Sequence, residues 1–273
     1  MSDVPSAIAY AARVDAYHSQ AARTSSPTTD RWASRAANFR LDPRRTLEAN
    51  TAAVAALVEP DDVVVDVGGG AGRIGLPLAL RSREVLNIEP SAGMREQFDA
   101  SARDAGITNV RCIPGAWPDT AAGIAADVVI VANVTYFVRD IVPFVEALKH
   151  VARKRVIIAV WSSPPPNHTA ALFELLHGEP QVHVPTHREL LAVIWDLGIL
   201  PDVRVLPDTF RGARERPPTR AEAIRYAVER GSAEQIPRAA EIVEAHFDQL
   251  FTASPGGFLP AWVPPAREIL III

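Results

Sequence analysis

The residues with the clearest chemistry lie between positions 66 and 89. Asp66-Val67-Gly68-Gly69-Gly70-Ala71-Gly72-Arg73-Ile74-Gly75 follows the apolar run Val63-Val64-Val65. Glycine lets a ligand or another backbone approach closely. A β-branched run that stops at glycine reads as a buried strand and a turn. The stretch Arg73–Arg81 beyond it reads as a helix, with Pro77 in the first turn where proline is tolerated. Such a turn aims backbone N–H groups at a polar or anionic ligand. The next apolar run ends at Glu89. A carboxylate accepts two hydrogen bonds, and the vicinal diol of a ribose offers two. Gly70-Ala71-Gly72-Arg73-Ile74-Gly75 also fits the dinucleotide pattern G-x-G-x-x-G, with Glu89 on the ribose. An NAD(P)-dependent oxidoreductase is therefore one reading.

These residues need a scaffold, and the hydrophobic pattern supplies one. Strands are expected at Val63–Val67, Val85–Glu89, Asn109–Ile113, Asp127–Asn133, Arg155–Trp161 and Pro201–Phe210, with a last one in the tail 262–273. Helical stretches are expected at Met94–Ala105, closed by Gly106, and at Ile141–Val151. Others fall near His168–His177, His187–Leu197, 219–230 and 237–251. The strand Asp127–Asn133 is almost wholly apolar, as in a parallel sheet covered on both faces. Strands and helices alternate at crossover lengths, which argues an α/β, doubly wound sheet. Before the first strand come a helix over 4–23, a loop at 24–29, a helix capped by Asp30 that runs through Trp32 and Phe39, and a third from Asp42-Pro43 to about Val58.

The string Asp66-Val67-Gly68-Gly69-Gly70-Ala71-Gly72 resembles motif I of the class I, Rossmann-like S-adenosylmethionine (SAM) dependent methyltransferases. Glu89-Pro90-Ser91-Ala92-Gly93-Met94 resembles the second-strand unit of the same family. The resemblance covers about residues 40–160 well and the remainder in outline. It implies a mostly parallel seven-stranded sheet of order 3-2-1-4-5-7-6 with N-terminal helices and an inserted helical cap. It implies that Gly68, Gly70 and Gly72 pass under the cofactor, that Asp66 supports its amino end, and that Glu89 holds the ribose. Met94, with Ala92 and Gly93, would border the adenine. Ala116 and Trp117 stand where the family often carries an acid for the adenine amino group; Trp117 packs on the adenine or belongs to the core, and Asp119 is a substitute acceptor. Asn133 would face the sulfonium. Asn133-Val134-Thr135-Tyr136 lacks the two prolines of the Asn-Pro-Pro-Tyr signature, so that signature's substrates do not carry over.

Methyl transfer is an in-line displacement at a sulfonium, driven by alignment and, for a weakly acidic acceptor, by a base. Tyr136 and His168 are the candidate catalytic residues, Tyr136 after strand four and His168 after strand five. His183 and His187 lack the clustered carboxylate or thiol of a metal site, so no metal is expected. Residues 1–40 are expected as a helical lid. Residues 41–273 are expected as the SAM-binding domain, with cap insertions at about 164–200 and 219–251.

Bulk properties narrow the partners. A net charge of −4 gives no electrostatic case for nucleic acid. Cys112 is the single cysteine, which excludes an intrachain disulfide and fits a reducing compartment. The first 22 residues lack the layout of a secretory leader, and no apolar stretch reaches the ~20 residues of a membrane span. A cytoplasmic monomer or homodimer acting on O or N of a small-molecule acceptor, with neither membrane nor nucleic acid as partner, is the expectation. A SAM-binding regulator without catalysis is a third reading.

Overall fold

The structure, a computed structural model, describes residues 4–24, 30, 32–207 and 216–273, without the side chains of Ser34 and Arg35. The chain begins with α1 (Pro5–Thr24), a 3-10 turn at Ala33–Phe39 and α2 (Ala49–Ala55). The alternating part follows: β1 (Val63–Val67), α3 (Gly75–Ala79), β2 (Glu84–Glu89), α4 (Ala92–Asp104), β3 (Val110–Pro114), β4 (Ala126–Ala132), α5 (Ile141–Val151) and β5 (Ala152–Trp161). Then come α6 (Ala170–His177), α7 (His187–Asp196), β6 (Asp202–Val205), α8 (Arg220–Arg230), α9 (Ala239–Ala245), α10 (Phe247–Leu250), β7 (Phe251–Ser254), β8 (Gly257–Pro260) and β9 (Glu268–Ile272).

Seven strands form one sheet in the order β3-β2-β1-β4-β5-β9-β6. The neighbours from β3 to β5 are parallel, and β9 runs antiparallel between β5 and β6. With β9 as the seventh strand of the sheet, this is the doubly wound order the sequence implied. All five residues of β1 are buried, because helices cover both faces. One face packs Tyr10, Val14, Phe144, Leu148, Leu190 and Ile194 from α1, α5 and α7 against the odd-numbered β1 residues. The other packs Val54, Leu76, Leu78 and Phe98 from α2, α3 and α4 against Val64, Ile130 and Leu270.

The helical additions divide in a way their sequence order hides. Tyr10 and Val14 of α1 lie in the main core, and the Tyr10 hydroxyl donates to the Thr135 carbonyl at 2.7 Å. Arg13 pairs with Glu189 of α7 at 2.9 Å, and Asp15 with Arg139 at 3.0 Å. Helix α1 is thus a wall of the main domain. The 33–39 turn instead sits on the start of α4, where Ala33 meets Gly93. Likewise α7 belongs to the main core, while α6 joins α8, α9 and α10 in a separate cluster around Phe247, Phe251 and Trp262.

Several elements differ from the sequence expectation, among them the helix expected from Asp30 through Phe39, which is a 3-10 turn. The helix expected from Asp42 starts only at Ala49, because the Asp42 carboxylate accepts from the Arg44 N–H at 2.9 Å and closes a local turn. The helix expected over 237–251 is instead two, α9 and α10, broken at His246, and Pro255-Gly256 turns the chain that follows into the β7–β8 hairpin. Strand β6 stops at Val205; positions 208–210 of its expected span, and 25–29 of the expected first loop, lie outside the described residues.

Candidate functional site

The glycine turn leaves β1 at the carboxyl edge of the sheet. Glu89, at the end of the adjacent β2, is 5% exposed and accepts the Gly70 N–H at 3.0 Å on one oxygen and the Ser91 N–H at 2.8 Å on the other. Each carboxylate oxygen keeps a further acceptor site. Burial pushes the Glu89 carboxyl above its usual range, against the pull of the two N–H groups. Gly70 has φ 58°, and a Cβ there meets only the Met94 sulfur, at 3.6 Å. The turn is thus held open at Gly70. At Gly68 an added Cβ strikes Val134, and at Gly72 it strikes Leu76 and Phe98. Those two glycines serve close packing.

Beneath the turn lies a buried polar pair. Asp66 on β1 and Asn87 on β2 are opposite each other in the sheet. The Asn87 amide donates to the Gly70 carbonyl at 3.1 Å. Its Oδ1 and the Asp66 Oδ2 are buried without a hydrogen-bond partner. Both atoms stand 2.5 Å from where a Gly69 Cβ would be, so only glycine fits there. Burial pushes the Asp66 carboxyl up to about 7; the Gly75 N–H works against this, and Glu89 adds to it.

The 33–39 turn borders the same place. Ala36, Ala71 and Met94 form a small buried cluster. The Asp30 carboxylate accepts the Ser91 hydroxyl at 2.8 Å and the Trp32 and Ala33 N–H groups at 3.1 Å each. The Ser91 hydroxyl leads in holding the Asp30 carboxyl below its usual range. Trp32 and Phe39 meet edge to face at 5.9 Å with more than a third of their surface exposed. Arg40 pairs with Asp104 at the end of α4. The sequence expected Asp30 to cap a helix; here it also ties the turn to the residue beside Glu89.

After β3, Ala116 is exposed and Trp117 is buried in the main core, with its indole N–H donated to the Phe144 carbonyl at 3.2 Å. Asp119 is exposed. After β4, Asn133 has φ 61°, and its Oδ1 accepts the Tyr136 hydroxyl at 3.0 Å. The same hydroxyl accepts the Trp161 N–H at 2.5 Å. Tyr136 is 2% exposed, and burial pushes its pKa up. It braces Asn133 from within the core.

His168 is buried in a 3-10 turn, with Nε2 2.7 Å from the Ser163 carbonyl. A carbonyl only accepts, so Nε2 carries the proton. His187, at the start of α7, faces the Ser162 backbone just after β5, and its Nδ1 is buried without a hydrogen-bond partner. Burial lowers its pKa and keeps the ring neutral. Among the described residues, no group of three or more His, Cys, Asp or Glu is placed to hold a metal ion.

Glu268 was not singled out by the sequence. It opens β9 opposite Trp161, and so lies at the carboxyl edge because β9 is antiparallel. Asn50 and Asn87 were missed too. None belongs to a motif; their places follow from strand pairing and helix docking. The available signal was slight: an acid at the head of the apolar run Ile269–Ile273, and an Asn inside the apolar run 85–88.

The donor set suits an adenosine carrying a cationic amino-acid tail. Glu89 offers acceptors to a diol, Gly70 leaves space, and the orphaned Asp66 oxygen awaits a donor. A family model for a methyltransferase domain matches residues 65–160. An uncharacterized protein of Haemophilus influenzae is 26% identical over 144 residues, 52% of this chain and 52% of that protein. The match thus spans about half the length of that curated relative. Among solved structures, a SAM-dependent methyltransferase from Thiobacillus denitrificans in complex with S-adenosyl-L-homocysteine is similar at TM-score 0.54 and 16% identity, covering 91% of this chain and 99% of that one. One from Geobacter sulfurreducens, also with S-adenosyl-L-homocysteine, is similar at 0.52 and 16% identity, covering 85% and 92%. Motif, strand order and domain match agree: residues 65–160 match a methyltransferase domain, and the chain has the fold of SAM-dependent methyltransferases of known structure.

Proposed function

We propose that the protein transfers a methyl group from SAM to O or N of a small-molecule acceptor. The observation that carries the cofactor reading is the Glu89 carboxylate, fixed by the Gly70 and Ser91 N–H groups beside the glycine of the 68–72 turn whose Cβ side is open. SAM supplies an electrophilic methyl group on a sulfonium. Glu89 receives the ribose hydroxyls on its remaining lone pairs. Gly68, Gly70 and Gly72 carry the backbone beneath the ligand, and Asp66 meets the amino end. Met94 and Ala116 border the adenine, with Trp117 behind them. Asn133, set by Tyr136, faces the reacting end. The 33–39 turn closes over the adenosine, and its exposed Trp32 and Phe39 cover it from water.

Two observations support a small acceptor. The net charge is negative, and helical elements follow β5 and β6 where the carboxyl edge opens. For a base, His187 has a neutral ring with an unused Nδ1, whereas His168 has one nitrogen fixed as a donor. Tyr136 acts as a positioning residue. Thermal melts test the assignment of the turn. Gly70→Val places a β-branched side chain at φ 58° in ligand space. The wild type should gain stability with SAM and the variant should not; an unchanged SAM-induced shift would remove the turn from the site.

A further inference from the structure

Glu268 is a buried carboxylate that the fold itself does not explain. It is 5% exposed, and among the described residues no Lys, Arg or His comes within ion-pair distance. Its side chain is faced by two neutral amides, those of Asn50 on α2 and Asn133 after β4. The charge of Arg73, in the glycine turn, reaches it from further off. Burial raises its carboxyl above the usual range, and Arg73 and the two amides pull the other way. Tyr136 is the other titratable group that feels it.

Its place matters more than its titration. Arg73 belongs to the turn after β1, and Asn133 to the loop after β4. Glu268 thus lies at the carboxyl edge, beside the end of β5, within reach of residues that follow β1 and β4, the two strands at which the order of the sheet reverses and ligands bind. A chain of hydrogen bonds runs toward it, from the Trp161 N–H to the Tyr136 hydroxyl and on to the Asn133 Oδ1. That chain occupies the Asn133 oxygen and leaves its amide N–H groups for the carboxylate. A carboxylate removed from water is costly without a cation. The Asn50 Oδ1 beside it is also buried without a partner. Two groups that accept hydrogen bonds therefore stand together with no donor cation of their own.

We propose that Glu268 is the charge partner of the cationic methionine end of the cofactor, with Asn50 and Asn133 holding its carboxylate in place. This rests on the SAM-binding reading of the site. The cofactor end has two cationic groups, the sulfonium and the α-ammonium. Three ligands separate them: SAM carries both, S-adenosylhomocysteine only the ammonium, and 5′-methylthioadenosine neither.

The test is calorimetric titration of wild-type protein and Glu268→Gln with each ligand. The variant keeps the shape and removes the charge. SAM should bind the variant about tenfold more weakly, while 5′-methylthioadenosine binds both proteins alike. Loss for SAM alone assigns the sulfonium; equal loss for SAM and S-adenosylhomocysteine assigns the ammonium. The ligand-free variant should melt no lower than wild type, since it no longer buries a charge without a cation. Equal affinities in both proteins for all three ligands would overturn the proposal, as would a variant that fails to fold, because Glu268 would then serve the fold. Wild-type protein that binds none of the three would instead overturn the reading of the site.

Discussion

Asp66 sets a condition on the protein at the scale of one side chain. It is 2% exposed, its Oδ2 has no partner, and of the charges that reach it Glu89 raises its carboxyl while Arg73 lowers it. The folded protein holds the Asp66 proton up to about pH 7, whereas the unfolded chain releases it near 4. A carboxyl raised in the folded state gives stability that is present at low pH and lost as pH rises through the folded value. Between pH 5 and 8 this loss amounts to about 3 kcal/mol. Asp66→Asn should therefore show a shallower fall in stability over that range than wild type. Urea denaturation at both pH values measures it; the same slope in both proteins would show that Asp66 is ionised throughout.

At the scale of elements, the 33–39 turn rests on the start of α4, where Ala33 lies against Gly93. A Cβ on Gly93 would lie 2.8 Å from the Ala33 Cα, closer than side chains tolerate. Gly93→Ala should lift the turn without touching Glu89 or the glycines. If the turn covers the adenosine, SAM should leave the variant several-fold faster, with thermal stability lowered by about 1 kcal/mol. Stopped-flow displacement of SAM gives the rate. An unchanged rate would make the turn a packing element only. Helix α1 is a different case. Its Tyr10 and Val14 are fully buried in the main core, so removing it exposes the sheet as well as the site.

At the scale of the molecule, what was legible in the sequence was what short-range pattern dictates. Val63–Val67 and Ile141–Val151 appear with the bounds read from hydrophobic period and glycine position. The order of the sheet came from the resemblance carried by Asp66–Gly72 and Glu89–Met94, since alternation alone leaves several orders open. The hairpin Phe251–Pro260 was missed because its short strands adjoin helical residues, although Pro255-Gly256 is a turn signal. Glu268 and Asn50 were missed because their nearness to Asn133 depends on an antiparallel seventh strand and on how α2 docks. Trp117 shows the same limit: its place after β3 was readable, but the direction of its ring toward Phe144 was not.

The central claim is that the Gly68–Gly72 turn and Glu89 bind SAM. Isothermal titration of the wild type and Glu89→Ala with SAM, and of the wild type with NAD, tests it most directly. SAM should bind the wild type one to one. It should bind Glu89→Ala more weakly by about 1–3 kcal/mol, the worth of hydrogen bonds to a charged acceptor. NAD should give no saturable heat. Binding of NAD without SAM, or undiminished SAM affinity in a folded Glu89→Ala variant, would contradict the account.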